Sequence, residues 1–395
     1  MSETRLDIVF QNLENWMREN NWESHDHTDW NSFPLCVLIK KMESVLPFGK
    51  YFTTPFFLMV KNNQNKLRKI FKIKKKGYPQ AHSILARAYF FKFQKTNGNK
   101  FLTKGIENLQ FLKNNAIESE KYFAWGQPYI WFSKKLIPAN TPRTTVTTQV
   151  IQAFLDGYEH TRNKEFLRIA VNASWFLLKG MNWDIDKDGD YCVSYTPLDN
   201  YHIHNANMLA SAALIRTWYY AGIDEFYDYG LKSAKFTSKY QNKDGSWYYK
   251  APPDLVKGKI DNIHTGFILE SFVILKQYLG EDFYFKKVFS KGVEYYYNNL
   301  FKNDYLPKMT PDKTYPIDIQ NCAQSIITFT QLNNYFNGLD ERVKNIFEWT
   351  MKEMYDVQKG FFYYRLYKSG KVDKTPYIRW GQSWMLRAVA LLDDS

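Results

Sequence analysis

The segment His264-Thr-Gly-Phe-Ile-Leu-Glu-Ser-Phe272 opens with polar and small residues and continues into a run that is apolar on almost every side of a helix. Five other segments have the same form, and successive copies begin 57 to 65 residues apart. A recurrence of this length is the signature of a repeat architecture. The other copies are His82-Ser-Ile-Leu-Ala-Arg-Ala-Tyr89, Thr147-Thr-Gln-Val-Ile-Gln-Ala-Phe-Leu-Asp-Gly-Tyr158, Asn205-Ala-Asn-Met-Leu-Ala-Ser-Ala-Ala-Leu214, Asn321-Cys-Ala-Gln-Ser-Ile-Ile-Thr-Phe329 and Trp380-Gly-Gln-Ser-Trp-Met-Leu-Arg-Ala388.

A second helical pattern, with one charged face, lies between consecutive copies, as in residues 164–179 and 282–297. A helix that is apolar all round must be buried, whereas an amphipathic helix lies at the surface. The sequence therefore predicts an all-α fold, an (α/α)6 toroid with six inner helices wrapped by outer ones. Because the last copy has no following partner, we expect Thr4–Asn20 or Asn62–Lys74 to complete the outer ring.

The length of 395 residues would ordinarily suggest two or three domains. No linker rich in Pro, Gly or Ser separates the copies, however, and the repeat takes precedence. We expect residues 61–395 to form the toroid and residues 1–60 to form a helical N-terminal extension that packs on the ring.

The composition limits the class of protein. The formal net charge of +13 suits acidic sugar polymers, lipid phosphates or nucleic acid, and equally a solubilising surface, but no nucleic-acid-binding motif is present. Three widely spaced cysteines, Cys36, Cys192 and Cys322, form no disulfide or zinc pattern. No export signal and no apolar run of membrane-spanning length is seen. We expect a cytoplasmic protein with reduced thiols, no metal and no other cofactor.

One stretch imitates a calcium loop. Asp184-Ile-Asp-Lys-Asp-Gly-Asp190 copies its opening, but Tyr195 stands at the twelfth position, where such a loop has Glu. The pattern argues against calcium.

The segments that precede the inner helices also resemble one another. A Gly next to Asp or Lys predicts a turn, and the aromatic residues that alternate after it predict short hairpins. In a ring, these loops share one rim with the N-termini of the inner helices, whose free N–H groups favour anions. The loops are residues 188–204, 244–249 with 260–264, 313–321, and 360–365 with 377–380.

Carboxylates and histidines meet on this rim. Asp261 and Asp318 each stand three residues before equivalent repeat positions, and a His beside a carboxylate suits general acid–base work. Helix capping is the alternative role for each aspartate, and a structural role is the alternative for each histidine. The catalytic candidates are Asp261, His264, Asp318 and His204.

Other polar and aromatic rim residues are candidates for binding a substrate. The planar fork of Arg379 matches a carboxylate or phosphate, and Trp247 and Trp380 offer stacking surfaces or ordinary packing. Glu270 lies within an inner helix, where a buried carboxylate needs a partner or a function. The substrate-binding candidates are Tyr195, Asp199, Asn205, Trp247, Tyr315, Arg379 and Trp380.

Taken together, the repeats resemble the (α/α)6-toroid superfamily of unsaturated glucuronyl hydrolases, N-acylglucosamine 2-epimerases and toroid polysaccharide lyases. From about Tyr122 onward, the chain is also similar to a bacterial family encoded among capsule, exopolysaccharide or lipopolysaccharide biosynthesis genes. The resemblance implies a role in surface polysaccharide biosynthesis more than a reaction. The motifs that carry it are Tyr195-Thr-Pro-Leu-Asp199, His204-Asn-Ala-Asn207, Asp244-Gly-Ser-Trp-Tyr-Tyr249, Ile260-Asp-Asn-Ile-His-Thr-Gly-Phe267 and Tyr315-Pro-Ile-Asp-Ile319.

From these observations and the resemblance we expect a carbohydrate-active enzyme. The positive net charge favours an acidic saccharide as its substrate. Hydrolysis would use Asp261 and Asp318 as acid and base. Epimerase or lyase chemistry would use His204 or His264 to remove a proton, with Arg379 on a carboxylate. The alternative from another class is a non-catalytic saccharide-binding or scaffold protein of an assembly complex. The sequence leaves the oligomeric state open.

Overall fold

The computed structural model describes residues 4–43, 49–119, 121–133, 136–252 and 258–392. This part of the chain forms fourteen α-helices joined by loops that carry thirteen short strands. The helices are α1 (Arg5–Glu19), α2 (Pro34–Glu43), α3 (Gly49–Ile70), α4 (Pro79–Thr96), α5 (Asn99–Asn114), α6 (Thr144–Thr161), α7 (Lys164–Gly180), α8 (His204–Ala221), α9 (Asp224–Lys239), α10 (Asn262–Leu279), α11 (Lys286–Asn299), α12 (Ile319–Leu332), α13 (Asp340–Met354) and α14 (Ser383–Leu391).

Six of these helices close into an inner ring. Helices α4, α6, α8, α10, α12 and α14 each lie against the next, and α14 returns to α4. Outside them, α5, α7, α9, α11 and α13 each pack on the inner helix that precedes them, and α1 packs on α14. The predicted (α/α)6 toroid is confirmed. The sixth outer position is filled by α1, which corresponds to the segment Thr4–Asn20.

The burial of side chains explains the two rings. In α8, the residues from His204 to Thr217 are all buried, so no face remains for solvent. In α7, a stripe that includes Phe166, Ile169 and Ala173 is buried while Arg168 stays exposed. Each large apolar side chain that is removed from water in this way stabilises the fold by about 1.5–3 kcal/mol.

Short antiparallel hairpins in the rim loops confirm the second element of the predicted fold. They include β5 with β6 before α8, and β12 with β13 before α14, where β9 joins as a third strand. The strands are β1 (Ile117–Ser119), β2 (Tyr122–Ala124), β3 (Trp131–Phe132), β4 (Leu136–Ile137), β5 (Trp183–Ile185), β6 (Tyr191–Val193), β7 (Phe301–Lys302), β8 (Leu306–Pro307), β9 (Ile317–Asp318), β10 (Tyr355–Asp356), β11 (Phe361–Phe362), β12 (Arg365–Leu366) and β13 (Val372–Asp373).

Neighbouring segments accept the first backbone N–H of every inner helix except α4. In α4 the first residue is Pro79, which has no N–H. In α6, α8, α10 and α12, the first N–H donates to a carbonyl oxygen of the following loop. The chain enters α14 through a π-helical turn, Ile378–Gln382, and the first N–H of this turn donates to the N-terminal segment. The pairs are Thr144 with Tyr195 O, His204 with Tyr249 O, Asn262 with Met309 O, Ile319 with Tyr364 O, and Ile378 with Ser24 Oγ.

The N-terminal segment completes the rim between α14 and α4. Besides the bond from Ile378 to Ser24, the backbone of Ser24 pairs with that of Lys76. Helices α2 and α3 pack on each other and reach the rim through Phe57, whose ring lies 5.5 Å from that of Phe132 in β3. Helix α3 crosses the predicted domain boundary at residue 60, and that boundary remains a prediction. No helix among the described residues is both long and apolar enough to cross a membrane.

Candidate active site at the mouth of the ring

Asp261 and His264 form a hydrogen-bonded pair at the N-terminus of α10. Asp261 is the N-cap residue, and its Oδ1 accepts from the backbone N–H of His264 at 2.9 Å. Its Oδ2 lies 2.6 Å from His264 Nδ1. The carboxylate therefore places the proton on Nδ1 and leaves the lone pair on Nε2. Because the imidazole is 34% exposed and nothing among the described residues bonds Nε2, this nitrogen is open to a ligand.

Tyr249 stands beside this pair. Its ring centroid lies 4.6 Å from that of His264. Burial, together with Tyr195, Asp261 and Asp199, raises the pKa of Tyr249 well above its usual value, so its phenol remains protonated. The mouth thus places a proton acceptor, His264 Nε2, beside a hydrogen-bond donor, the hydroxyl of Tyr249.

His204 and Asn205 line the same small cavity, of about 10 Å³, as Asp261 and His264. His204 is 2% exposed, and burial, reinforced by His202, lowers its pKa to about 3. A histidine that holds its proton so weakly is a poor base at neutral pH. His204 Nδ1 and Asn205 Oδ1 are buried and have no hydrogen-bond partner among the described residues.

Asp318 is held in a closed set of interactions. Its Oδ1 accepts from the backbone N–H of Gln320 at 3.0 Å and from Trp380 Nε1 at 2.9 Å, and its Oδ2 accepts from Arg365 Nε at 2.7 Å. The side chain is 2% exposed. Asp318 is thus a capping residue, the alternative role that its position suggested. It is also the counter-ion of Arg365, a pairing that its sequence position did not indicate. The indole of Trp380 is oriented by the same carboxylate.

Arg379 is neutralised by the N-terminal segment. Its Nη2 donates to Asp26 Oδ1 at 2.8 Å, its Nε donates to Asp26 Oδ2, and its Nη1 donates to Gln80 Oε1 at 3.0 Å. Both Arg379 and Asp26 are buried, and the pKa of Asp26 is lowered by Arg379 despite the opposing effect of burial. With every nitrogen engaged, Arg379 has no fork left for a substrate anion.

Arg143 has a buried guanidinium for which the described residues supply no counter-ion. It is the N-cap residue of α6 and is 5% exposed, and its Nε and Nη2 have no hydrogen-bond partner among the described residues. The side chain lies over the rings of Tyr129 and Trp131, at 5.3 and 5.2 Å. Arginine at an N-cap opposes the helix dipole and caps no N–H, and this signal in the sequence was missed.

The remaining candidates have structural contacts. Tyr195 packs against Trp131, with ring centroids 5.4 Å apart, and its carbonyl closes the N-terminus of α6. Asp199 accepts from the backbone N–H groups of Tyr195, Thr196 and Tyr201, and so shapes the loop. Tyr315 is half-buried against the core.

Trp247 lies in the wall of the small cavity, but its side chain is buried. It is 2% exposed, its Nε1 donates to Thr237 O at 3.0 Å, and a Cβ on Gly292 of α11 would approach its ring to 2.7 Å. A tryptophan packed this closely serves the core and has no free face for stacking on a sugar.

The loop that imitates a calcium site is filled by a lysine. Lys239 Nζ lies 2.6 Å from carboxylate oxygens of Asp186 and Asp188 and 3.1 Å from Asp190. The ammonium takes the place that a cation would take, and the three carboxylates raise its pKa. Among the described residues, no group of three or more His, Cys, Asp or Glu side chains is arranged to hold a metal ion.

Inside the ring, a second set of charged side chains links the inner helices. Glu270 of α10 pairs with Arg387 of α14, Arg87 of α4 donates to Asp156 of α6 at 3.0 Å, and Arg216 of α8 lies 2.6 Å from Asp156. The partner that Glu270 requires is thus Arg387. These opposite charges compensate one another, and we regard the set as part of the ring's packing.

Comparison with solved structures gives matches over about four-fifths of the chain. A cellobiose 2-epimerase from Bacillus thermoamylovorans matches with a TM-score of 0.61 at 10% identity, over 80% of this chain and 87% of that protein. An α-mannanase of glycoside hydrolase family 76 from Bacteroides thetaiotaomicron gives 0.59 at 10% identity, over 81% and 86%. An unsaturated glucuronyl hydrolase specific for heparin gives 0.57 at 12% identity, over 80% and 87%. The likeness shows that the chain shares the fold of these proteins, an (α/α)6 toroid.

No protein-family model and no curated protein matches the sequence. The three similar structures are named for different reactions, one epimerisation and two hydrolyses. At such low identity the likeness establishes the fold, so the reaction has to be argued from the side chains of this chain.

Proposed function

We propose that the protein is a saccharide-acting enzyme that removes a proton from a sugar carbon next to a carbonyl or carboxylate group, as an epimerase, isomerase or lyase does. The observation that carries the proposal is the Asp261–His264 pair, with Nδ1 bonded to the carboxylate at 2.6 Å and Nε2 open to the mouth. The shared fold with sugar epimerases and glycoside hydrolases supports a saccharide as the substrate.

The chemistry follows from the tautomer that Asp261 imposes. His264 Nε2 takes the proton from the carbon, and Asp261 stabilises the imidazolium that forms. The electron pair left on carbon moves to the neighbouring carbonyl oxygen, where the protonated phenol of Tyr249 donates a hydrogen bond. Protonation of the opposite face of the carbon, by an acid other than His264, would give an epimer and leave His264 to pass its proton to water. Expulsion of a leaving group with its bonding pair from the next carbon would instead give an unsaturated sugar.

The contacts of Asp318 count against hydrolysis by two carboxylates. A glycosidase needs one carboxyl group as an acid and a second as a base or nucleophile. Asp318 is buried, is paired with Arg365 at 2.7 Å and accepts two further hydrogen bonds. Because it is buried and its two oxygens already accept from three donors, this carboxylate is poorly placed to contact a glycosidic oxygen or to activate water.

Arg143 supplies the anion-binding position in this proposal. Buried guanidinium groups are normally paired, because an unpaired one costs several kcal/mol. The rings of Tyr129 and Trp131 flank it on the rim. A carboxylate of the substrate, held bidentately, would pay this cost and position a uronic acid at the mouth. Surface polysaccharide biosynthesis belongs to the proposal through the sequence resemblance alone, and a cytoplasmic location through the three cysteines, which form no disulfide pattern.

Proton NMR in heavy water tests the reaction. We expect deuterium to enter at a ring carbon of a uronic-acid oligosaccharide that is incubated with the protein. A new reducing end without deuterium would refute proton abstraction in favour of hydrolysis. Binding without exchange or cleavage would favour the scaffold alternative.

The variant Asp261→Asn separates catalysis from folding. Asparagine caps a helix about as well as aspartate, so the free energy of unfolding should change by less than about 1 kcal/mol. Turnover should fall by roughly 10²–10⁴-fold, because the amide does not hold His264 in the required tautomer or stabilise its charge. His160→Gln, at the C-terminal end of α6, is the matched control and should retain turnover. Equal turnover in Asp261→Asn and wild type would contradict the assignment.

A further inference from the structure

A large cleft opens beside the mouth, between α3 and the loop that carries β12 and β13. Its volume is about 1270 Å³. Sites for single small molecules usually occupy about 300–1,000 Å³. The cleft is therefore large enough for a ligand longer than the one sugar that reacts at the mouth.

Positive charge dominates its lining. Six lysines line the cleft, and none of them has a carboxylate partner among the described residues; they are Lys61, Lys66, Lys69, Lys72, Lys371 and Lys374. The two lining arginines are already paired, Arg68 with Asp29 and Arg365 with Asp318. The acidic side chain in the lining is Asp373, whose Oδ1 is engaged by Thr375.

The free protein bears the cost of this arrangement. Lys61 is exposed, but partial desolvation in the cleft together with the nearby charge of Arg365 lowers its pKa. Like charges that face one recess without counter-ions repel each other, and a bound anion would relieve the repulsion.

The cleft borders the rim at the N-terminus of α12 and at the turn that leads into α14. Arg365 lines the cleft and also donates to Asp318, which in turn accepts from Trp380. His27 lines it too, and its ring lies 4.2 Å from that of Trp380. The ring of Tyr367, which is partly exposed, is in the lining and suits contact with a sugar face.

We propose that this cleft binds an acidic saccharide chain, bearing carboxylate or sulfate groups, and so holds the part of the substrate that extends beyond the reacting sugar. The inference rests on the proposed function for the choice of a saccharide. A concave recess of this volume favours a single flexible chain over the flat surface of a lipid bilayer.

Calorimetric titration with hexagalacturonate tests the proposal, with cellohexaose as the neutral comparison. We expect the acidic hexasaccharide to bind, to bind more weakly as NaCl is raised, and to bind more tightly than cellohexaose. Affinity should fall about tenfold in Lys66→Gln/Lys69→Gln/Lys72→Gln, since each exposed ion pair contributes roughly two- to threefold.

The matched control removes three lysines from α11, on another face of the molecule. Lys286→Gln/Lys287→Gln/Lys291→Gln changes the net charge equally and should bind as the wild type does. An equal loss of affinity in both triple variants would overturn the proposal, because the attraction would then come from the overall charge. Equal affinity for cellohexaose would also overturn it, as would tighter binding of a single-stranded oligonucleotide or of phosphatidylserine vesicles.

His264→Gln distinguishes this inference from the proposed reaction. We expect the variant to lose deuterium exchange while binding hexagalacturonate with unchanged affinity. Binding in the cleft without any exchange by the wild type would sink the reaction alone. If the wild type shows exchange but Lys66→Gln/Lys69→Gln/Lys72→Gln binds hexagalacturonate as the wild type does, the proposed binding in the cleft alone would be refuted.

Discussion

Replacing Glu270 by Gln removes the negative charge that holds one side of the inner ring together. Glu270 is 2% exposed, and its Oε1 pairs with Arg387 Nη2 and lies 3.7 Å from Arg87 Nη1. Its Oε2 accepts from Gln324 Nε2 at 3.1 Å. Three other inner helices, α4, α12 and α14, thus meet at one carboxylate of α10.

The expected cost follows from what the substitution leaves behind. Arg387 is 3% exposed, and its Nη1 has no hydrogen-bond partner among the described residues, so Glu270 is its counter-ion. Loss of one partner from a buried ion pair costs about 3–5 kcal/mol, because the other charge remains buried without compensation. Total stabilities of domains lie near 5–15 kcal/mol, so Glu270→Gln should remove a large share.

Urea unfolding followed by circular dichroism measures the loss of stability. The slope of the free energy of unfolding against urea concentration should not change, because the variant exposes the same surface on unfolding. The double variant Glu270→Met/Arg387→Met is the control for charge. It removes both ions together and should lie within about 2 kcal/mol of the wild type or be more stable. A loss below about 1 kcal/mol in Glu270→Gln would refute the reasoning, since the carboxylate would then be hydrated. An equal loss in the double variant would assign the effect to packing.

Two further predictions concern the rim. Arg143→Met removes a buried charge for which the described residues supply no counter-ion, so the free energy of unfolding should stay the same or rise, while the binding of galacturonate should weaken. Urea unfolding measures the first effect and calorimetry the second. A loss of stability without a loss of affinity would make Arg143 structural. The pKa of His204 is lowered to about 3, against an ordinary value of 6.5, so the unfolded chain takes up its proton first and stability falls as the pH drops from about 6.5 towards 3. At pH 5 this amounts to roughly 2 kcal/mol, and His204→Gln should flatten the urea-derived stability profile over that range; an unchanged profile would show that His204 is not buried in its neutral form.

The ring was predictable because its main determinant is local. Each inner helix is apolar on all sides, and each outer helix has one charged face, so every repeat shows its place in the layers within about 60 residues. The backbone bonds that close the inner helices were not predictable, because a carbonyl such as Tyr195 O carries no mark in the sequence. They join segments tens of residues apart, and their partners are fixed only when the rings pack.

The candidate site divides along the same line. The sequence indicated Asp261 and His264 because an aspartate before a helix and a histidine three residues later face each other across the first turn. The position of Arg379 before the last inner helix suggested that it binds a substrate anion. Its counter-ion Asp26 lies 353 residues away in the sequence, and only the closed ring brings the two side chains together. Arg143 was missed because one basic residue before a helix resembles an ordinary surface charge.

The closed N-termini of the inner helices change how the mouth can attract an anion. The sequence suggested that free N–H groups at the rim would favour a negative ligand, yet the first N–H of each inner helix is bonded or, at Pro79, absent. Side chains for which the described residues supply no counter-ion, including Arg143 and the lysines of the cleft, therefore add to the positive potential at the rim. Such charges cost stability in the free protein, and an acidic saccharide is the ligand that would recover that cost on binding.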